Sequence, residues 1–176
     1  LMETGHPLHA FDYSNIKGAE IIIRMAGPGE VFQTLDGNEH KLTEKDLLIA
    51  DKERGVALAG IMGGLNSEVS ENTRCVLLES AYFDPLTVNK TARRLGLSTE
   101  ASQRFGRGAD PGNTIYAIDR ASQLLAEFAG GTVLRGVVDA YPRKIDDVVI
   151  PLRKSRIEAV LGVDIPADKC TEILGS

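Results

Sequence analysis

The stretch over residues 77–111 constrains this chain most. It holds two Asp-Pro steps, Asp84-Pro85 and Asp110-Pro111. Each predicts an N-cap followed by Pro at the first helical position. Ahead of the first step runs Cys75-Val76-Leu77-Leu78, an apolar run that predicts a buried, central strand over 74–81. Glu79 sits at the end of that run. Between the two helix starts lie residues 98–107, too rich in small and charged side chains to read as core. A carboxylate at a strand end, facing a loop of small hydroxyl residues, is one way a fold builds a site.

The remaining punctuation gives a mixed α/β order. Gly5 and Pro7 make residues 5–12 a tight, irregular segment carrying His6 and His9. Three consecutive isoleucines predict a strand over 20–24, ended by Gly27-Pro28-Gly29. Residues 31–34 and 41–42 flank Leu35-Asp36-Gly37-Asn38, a hairpin whose Asp-Gly pair supplies positive φ angles. Strands follow over 46–51 and 56–61. Gly60-Ile61-Met62-Gly63-Gly64 places three glycines in five residues, which predicts a close backbone approach or positive φ. No Lys-Ser/Thr follows, so it is not a phosphate loop.

Residues 84–95 predict a helix closed by Gly96. Its basic end, Lys90, Arg93 and Arg94, either complements the helix dipole or meets RNA phosphate. Residues 110–128 predict the longest helix, with Ile115, Ile118, Ala121, Leu124, Leu125 and Phe128 on one buried face. A final strand is expected over 133–140. Residues 144–147 read as a linker. Two short helices should follow, around Ile157 to Leu161 and over 166–174. Leu1 is not an initiator residue, and the chain reads as cut from something longer.

Composition narrows the function classes. At 176 residues the chain is sized for one domain with a fragment of a second. A net charge of −5 makes it a poor autonomous nucleic-acid binder, because phosphate binding is driven by Lys and Arg. Contact with RNA held by neighbouring domains stays compatible with that charge. Cys75 and Cys170 lie far apart, with no disulfide framework or zinc spacing, which suits a reducing compartment. No run reaches the length of a membrane helix, and no signal peptide opens the chain.

The candidate residues carry different weights. His9, beside Phe11, reads alone as a structural histidine. Glu79, embedded among Val and Leu, is costly unless paired. Either Arg24, Arg104 or Arg107 pairs with it, or it serves a site. The residues alone reach a mixed α/β domain with a polar pocket and no metal-ligand cluster.

Several stretches taken together go further. They are Pro7-Leu8-His9-Ala10-Phe11-Asp12, Leu58-Ala59-Gly60-Ile61-Met62-Gly63-Gly64, Leu77-Leu78-Glu79-Ser80-Ala81-Tyr82-Phe83, and Gly96-Leu97-Ser98-Thr99-Glu100-Ala101-Ser102-Gln103-Arg104-Phe105. In this order and spacing they resemble the β subunit of bacterial phenylalanyl-tRNA synthetase. The resemblance makes residues 1–142 its editing domain, 143–147 a linker, and 148–176 the incomplete start of the next β-subunit domain. It implies an α+β, three-layer fold with a β-sandwich of unusual topology, shared with a domain of tRNA-lysidine synthetase. It further implies hydrolysis of tyrosyl-tRNA(Phe), an ester made when the synthetic site mistakes Tyr for Phe. By position, His9 matches the editing-site histidine and Glu79 the group that reads the tyrosine hydroxyl. Thr99, Ala101 and Gly63 match pocket-wall positions, with Ala59 and Gly60 adjoining them.

The same resemblance implies a cytoplasmic α2β2 synthetase, with the α subunit and mischarged tRNA(Phe) as partners and no membrane. ATP and magnesium belong to the holoenzyme, with no cofactor in this fragment. The rival class is a non-catalytic tRNA-docking module, favoured by an Arg104–Glu79 ion pair blocking the pocket. One departure stands out: the family usually has Arg-Phe-Glu-Arg-Gly-Val-Asp, and this chain reads Arg104-Phe105-Gly106-Arg107-Gly108-Ala109-Asp110. A possible carboxylate partner for Arg104 or Arg107 is thereby lost.

Overall fold

The computed structural model describes residues 1–146 and 148–175. Asp147, at the end of the expected linker, and Ser176 lie outside the described residues. The chain divides into two compact units, Leu1–Val137 and Val138–Ser176.

In the first unit the mixed α/β class expected from the sequence is the one observed. Its strands are β1 (Leu8–Asp12), β2 (Ile22–Met25), β3 (Val31–Gln33), β4 (Glu39–Lys41), β5 (Leu47–Ala50), β6 (Gly55–Leu58), β7 (Met62–Gly63) and β8 (Val76–Ser80). Three helices follow: α1 (Pro85–Leu95), α2 (Glu100–Arg107) and α3 (Thr114–Ala129). Every described strand pairing is antiparallel. β2-β5-β6-β7 form one sheet, β3 and β4 a hairpin, and β1 and β8 a two-stranded ribbon.

The core forms where β5 and β6 are buried on both faces. Leu48, Ile49, Val56 and Leu58 fill its centre, and Phe11, Phe83, Val88 and Phe105 close it from the ribbon and the helices. Such burial on both sides suits the near-continuous apolar runs of these two strands. A polar bolt holds α1 against β5. Asp46, 1% exposed, accepts from Thr43 N at 2.7 Å, Thr43 Oγ1 at 2.9 Å and Thr91 Oγ1 at 2.8 Å, and pairs with Arg94. Burial works to raise its carboxyl, but the hydrogen bonds and the Arg94 charge outweigh that and hold it low. Arg94 is thus committed within the fold, which settles the structural reading for that one member of the basic end.

Local signals placed α1 well. Asp84 accepts from Thr87 N at 2.8 Å, Pro85 opens the helix, and Gly96 closes it at φ 69°. Gly37, at φ 82°, makes the predicted turn between β3 and β4.

Elsewhere the structure corrects the sequence. Residues 8–12 are not irregular: they form β1, because β8 supplies the backbone partners a local reading does not see. The strand over 74–81 is not central and is only partly buried. β8 pairs with β1 alone, Cys75 is exposed and Val76 is 39% exposed. Residues 98–107 are not a loop outside the core. From Glu100 they form α2, with Ser102 and Phe105 buried. The polar composition belongs to the helix's open side. The second Asp-Pro step opens a 3₁₀ turn, Pro111–Asn113, before α3 begins at Thr114.

The stripe predicted on α3 is amphipathic but not buried. Only Ala117 is buried, while Ile115, Leu125 and Phe128 are exposed, Phe128 at 79%. The first turn of α3 is held to β8 by Ser80 Oγ, which donates to Thr114 O at 2.8 Å. Residues 133–140 form no strand among the described residues. Gly136 takes φ 92°, and no partner strand is paired with them.

In the second unit, α4 (Lys154–Leu161) and α5 (Ala167–Leu174) stand where the sequence placed them. Neither buries a residue. No helix among the described residues is long and apolar enough to cross a membrane.

Candidate functional site: a small apolar pocket with two unpaired polar groups

The ribbon register sets His9 of β1 directly opposite Glu79 of β8. Residues directly opposite on an antiparallel pair place their side chains on one face. Both line a pocket whose other walls include Gly60, Ile61, Gly63, Phe83, Ala101 and Phe105. Its cavity volume is about 60 Å³.

Glu79 has no hydrogen-bond or ion-pair partner among the described residues. The three arginines that could have paired with it do not. Arg24 holds Glu30 through two bonds of 2.8 Å. Arg104 stands 3.9 Å from Glu100. Arg107 makes no ion pair among the described residues. Burial in apolar surroundings, with nothing to offset it, pushes the Glu79 carboxyl up to about 7. The carboxyl therefore titrates nearer neutrality than a solvated glutamate.

His9 is also unpaired. Its Nε2 is buried without a partner, and burial lowers its pKa, so the neutral imidazole prevails at pH 7. The ring packs edge-on against Phe11, with centroids 4.5 Å apart and planes at 77°. Gly63 lets the backbone come close to it. A Cβ built on Gly63 would stand 2.6 Å from His9 Nε2, nearer than side chains pack. Gly60, at φ 69°, makes the turn between β6 and β7, and its missing Cβ leaves room for Phe83 and Val88. Among the backbone N–H groups of this turn, those of Ile61 and Gly64 are committed to the Leu58 and Val56 carbonyls. That of Gly60 has no partner among the described residues.

Two predicted site residues act from behind the wall. Thr99 does not line the pocket. It caps α2, accepting from Ser102 N at 3.0 Å, and donates to Ile61 O at 2.8 Å. It thereby ties the helix carrying Ala101 to the turn carrying Gly60. Ala59 is buried in the core, its N–H donating to Leu47 O at 3.1 Å. His9, Glu79, Gly60, Gly63 and Ala101 are brought together around the pocket.

Sequence reasoning missed the aromatic wall. Phe83 and Phe105 meet edge-on at 5.0 Å. Phe105 lies one helical turn after Ala101, so its place follows once residues 100–107 are read as helix. The local reading of residues 5–12 assigns His6 no role. It is 2% exposed, with its ring edge-on to Phe105 at 5.9 Å. No cluster of three or more His, Cys, Asp or Glu among the described residues is placed to hold a metal ion.

The structure is a mixed α/β domain of short antiparallel strands with an apolar pocket lined by one carboxyl and one imidazole. The chain belongs to the B3/4 domain family, whose description matches residues 1–130. It is similar to phenylalanine–tRNA ligase β subunits. It is 51% identical to that of Geobacter metallireducens over 98% of this chain and 22% of that protein. It is 53% identical to that of Geobacter sulfurreducens over 96% of this chain and 21% of that protein. It is 52% identical to that of Anaeromyxobacter dehalogenans over 99% of this chain and 22% of that protein. The chain thus spans about a fifth of the length of these curated relatives.

Proposed function

We propose that this domain hydrolyses tyrosyl-tRNA(Phe), as part of the β subunit of a cytoplasmic phenylalanine–tRNA ligase that also contains an α subunit. The observation that carries the reading is the unpaired Glu79 carboxyl inside an otherwise apolar pocket. A carboxyl only partly open to solvent and without a protein partner is costly to the fold. Here a ligand hydroxyl would supply the partner.

Tyr and Phe differ by one hydroxyl. An apolar pocket rejects an added hydroxyl only about a hundredfold, whereas a site built to bond one can reject its absence by about 10⁴ to 10⁵. Ionised Glu79 accepts from the tyrosine O–H. A phenylalanine side chain would leave it desolvated and unpaired. The cavity volume of about 60 Å³ is smaller than the roughly 150 Å³ apolar cavity known to hold benzene. Seating the whole ring therefore requires the pocket walls to move apart.

An aminoacyl ester is already activated, so hydrolysis asks for a positioned water and stabilisation of the oxyanion. Neutral His9 orients that water and can take its proton at Nε2. The water oxygen bonds to the ester carbonyl, the uncommitted Gly60 N–H faces the developing charge, and the ester C–O bond breaks. Tyrosine leaves, and the proton passes to the ribose oxygen of the tRNA. ATP and magnesium chemistry belongs to the synthetic site of the holoenzyme and enters no step here.

The rival reading, a docking module with a closed pocket, calls for an Arg104–Glu79 pair, and Arg104 lies against Glu100 instead. The test is deacylation of tyrosyl-tRNA(Phe) against phenylalanyl-tRNA(Phe) by the intact synthetase, with and without Glu79→Ala. Loss of the tyrosyl preference supports the reading, and unchanged behaviour refutes it.

A further inference from the structure

One cation beside the pocket, Arg104, makes no hydrogen bond among the described residues, its side chain being 41% exposed beside Glu100. Arg104 Nε is buried without a hydrogen-bond partner. The nearest carboxylate it faces, Glu100, stands 3.9 Å from that nitrogen, beyond hydrogen-bond reach, and is itself largely exposed. Unpaired buried donors are rare, and one on a charged group is the more costly to leave unmade.

The donors open to a ligand are those of its terminal nitrogens, which are not buried. Arg104 lies on α2 between Ala101 and Phe105, which both line the pocket. Helical spacing puts it on the flank between those two residues and the open side of α2 that carries Gln103 and Arg107. Across from it runs the segment entering β1. A Cβ on Gly5 would stand 3.8 Å from Arg104 Nη1, and Pro7 and Leu8, just beyond, line the pocket too. On that same segment His6 buries a second unpartnered nitrogen, Nε2, with its ring against Phe105. Two polar groups with unmet hydrogen bonds thus flank one wall residue where two chain segments meet at the pocket.

We propose that Arg104 seats a phosphate of the RNA 3′ end whose aminoacyl group enters the pocket. A planar guanidinium with free donors matches phosphate oxygens in a two-pronged geometry. In a chain of net charge −5, a localised seat of this kind directs the RNA end without binding RNA elsewhere. The inference rests on the editing reading of the pocket and adds a substrate-binding residue to it.

The test uses the full synthetase and two non-hydrolysable probes. One is adenosine carrying a 3′-tyrosyl amide, with no phosphate, and the other is the CCA trinucleotide carrying the same group. Arg104→Gln is expected to weaken the trinucleotide about tenfold and to flatten its log–log salt dependence by roughly 0.7, one single-strand phosphate contact. Binding of the phosphate-free nucleoside should not change. Arg104→Lys, which keeps the charge, should retain the salt slope. Unchanged trinucleotide binding, an equal fall for both probes, or a lysine variant with the slope of the glutamine variant would overturn the assignment. The nucleoside probe judges the editing reading separately. If the wild type does not prefer its tyrosyl over its phenylalanyl form, that reading fails, while the contrast between trinucleotide and nucleoside still decides Arg104.

Discussion

Replacing Glu79 with Gln should make this chain more stable at pH 8 and nearly unchanged at pH 4.5. The folded carboxyl is raised from 4.5 to about 7 by burial. The unfolded chain therefore releases this proton more readily than the folded one. Between those two values the folded state binds more protons, so stability falls as pH rises through the interval and has lost its full increment above it. At about 1.36 kcal/mol per unit, the penalty carried at pH 8 reaches about 3 kcal/mol. That is an upper bound, since the mouth of the pocket lets water near the carboxyl. Glutamine keeps the shape and cannot ionise. Urea unfolding of wild type and Glu79→Gln at several pH values between 4.5 and 8 should give curves that diverge, the wild type declining and the variant not. Parallel curves would show that Glu79 is solvated in the folded chain and would remove the physical basis of the site.

Two further outcomes follow from the geometry. Gly63→Ala places a methyl 2.6 Å from His9 Nε2 and must displace a ring already packed on Phe11. Tyrosyl-tRNA deacylation should fall at least tenfold at a stability cost of about 1–3 kcal/mol, measured by single-turnover kinetics and urea unfolding. Full activity would show that His9 is not held where the mechanism needs it. Thr99→Val removes both the α2 cap and the bond to Ile61 O. Denaturant titration should show a loss of about 1–3 kcal/mol, and a loss below about 0.5 kcal/mol would contradict its role as a tie between helix and turn.

Much of the scaffold was legible because its signals are local. Asp84, Pro85 and Gly96 bound α1 by cap chemistry alone, and Asp36-Gly37 announced its hairpin. What stayed hidden depends on partners far along the chain. β1 is a strand only because β8 pairs with it, and that pairing is what sets His9 against Glu79. Motif resemblance named both residues, but no periodicity joined them. α2 was obscured because its capping box uses Ser102 where Glu or Gln is the usual sign, and because Phe105 is its one large apolar residue. The α3 stripe was read correctly as amphipathic, yet a pattern does not say whether a face is covered.

Gly106 has a local explanation of its own. Asn89 Nδ2 donates to Gly106 O at 2.7 Å, and a Cβ there would strike the Asn89 side chain. The missing side chain lets α1 close onto α2.

The central claim is that Glu79 reads a hydroxyl, and the most direct measurement is deacylation of tyrosyl-tRNA(Phe) and phenylalanyl-tRNA(Phe) by the intact synthetase. A hydrogen bond to a charged acceptor contributes about 1.5–3 kcal/mol. Glu79→Ala should therefore lower the tyrosyl preference by at least about 10- to 150-fold, mostly by slowing the tyrosyl ester. If the alanine variant keeps the wild-type preference, the carboxyl does not recognise tyrosine and the editing account of this pocket is wrong.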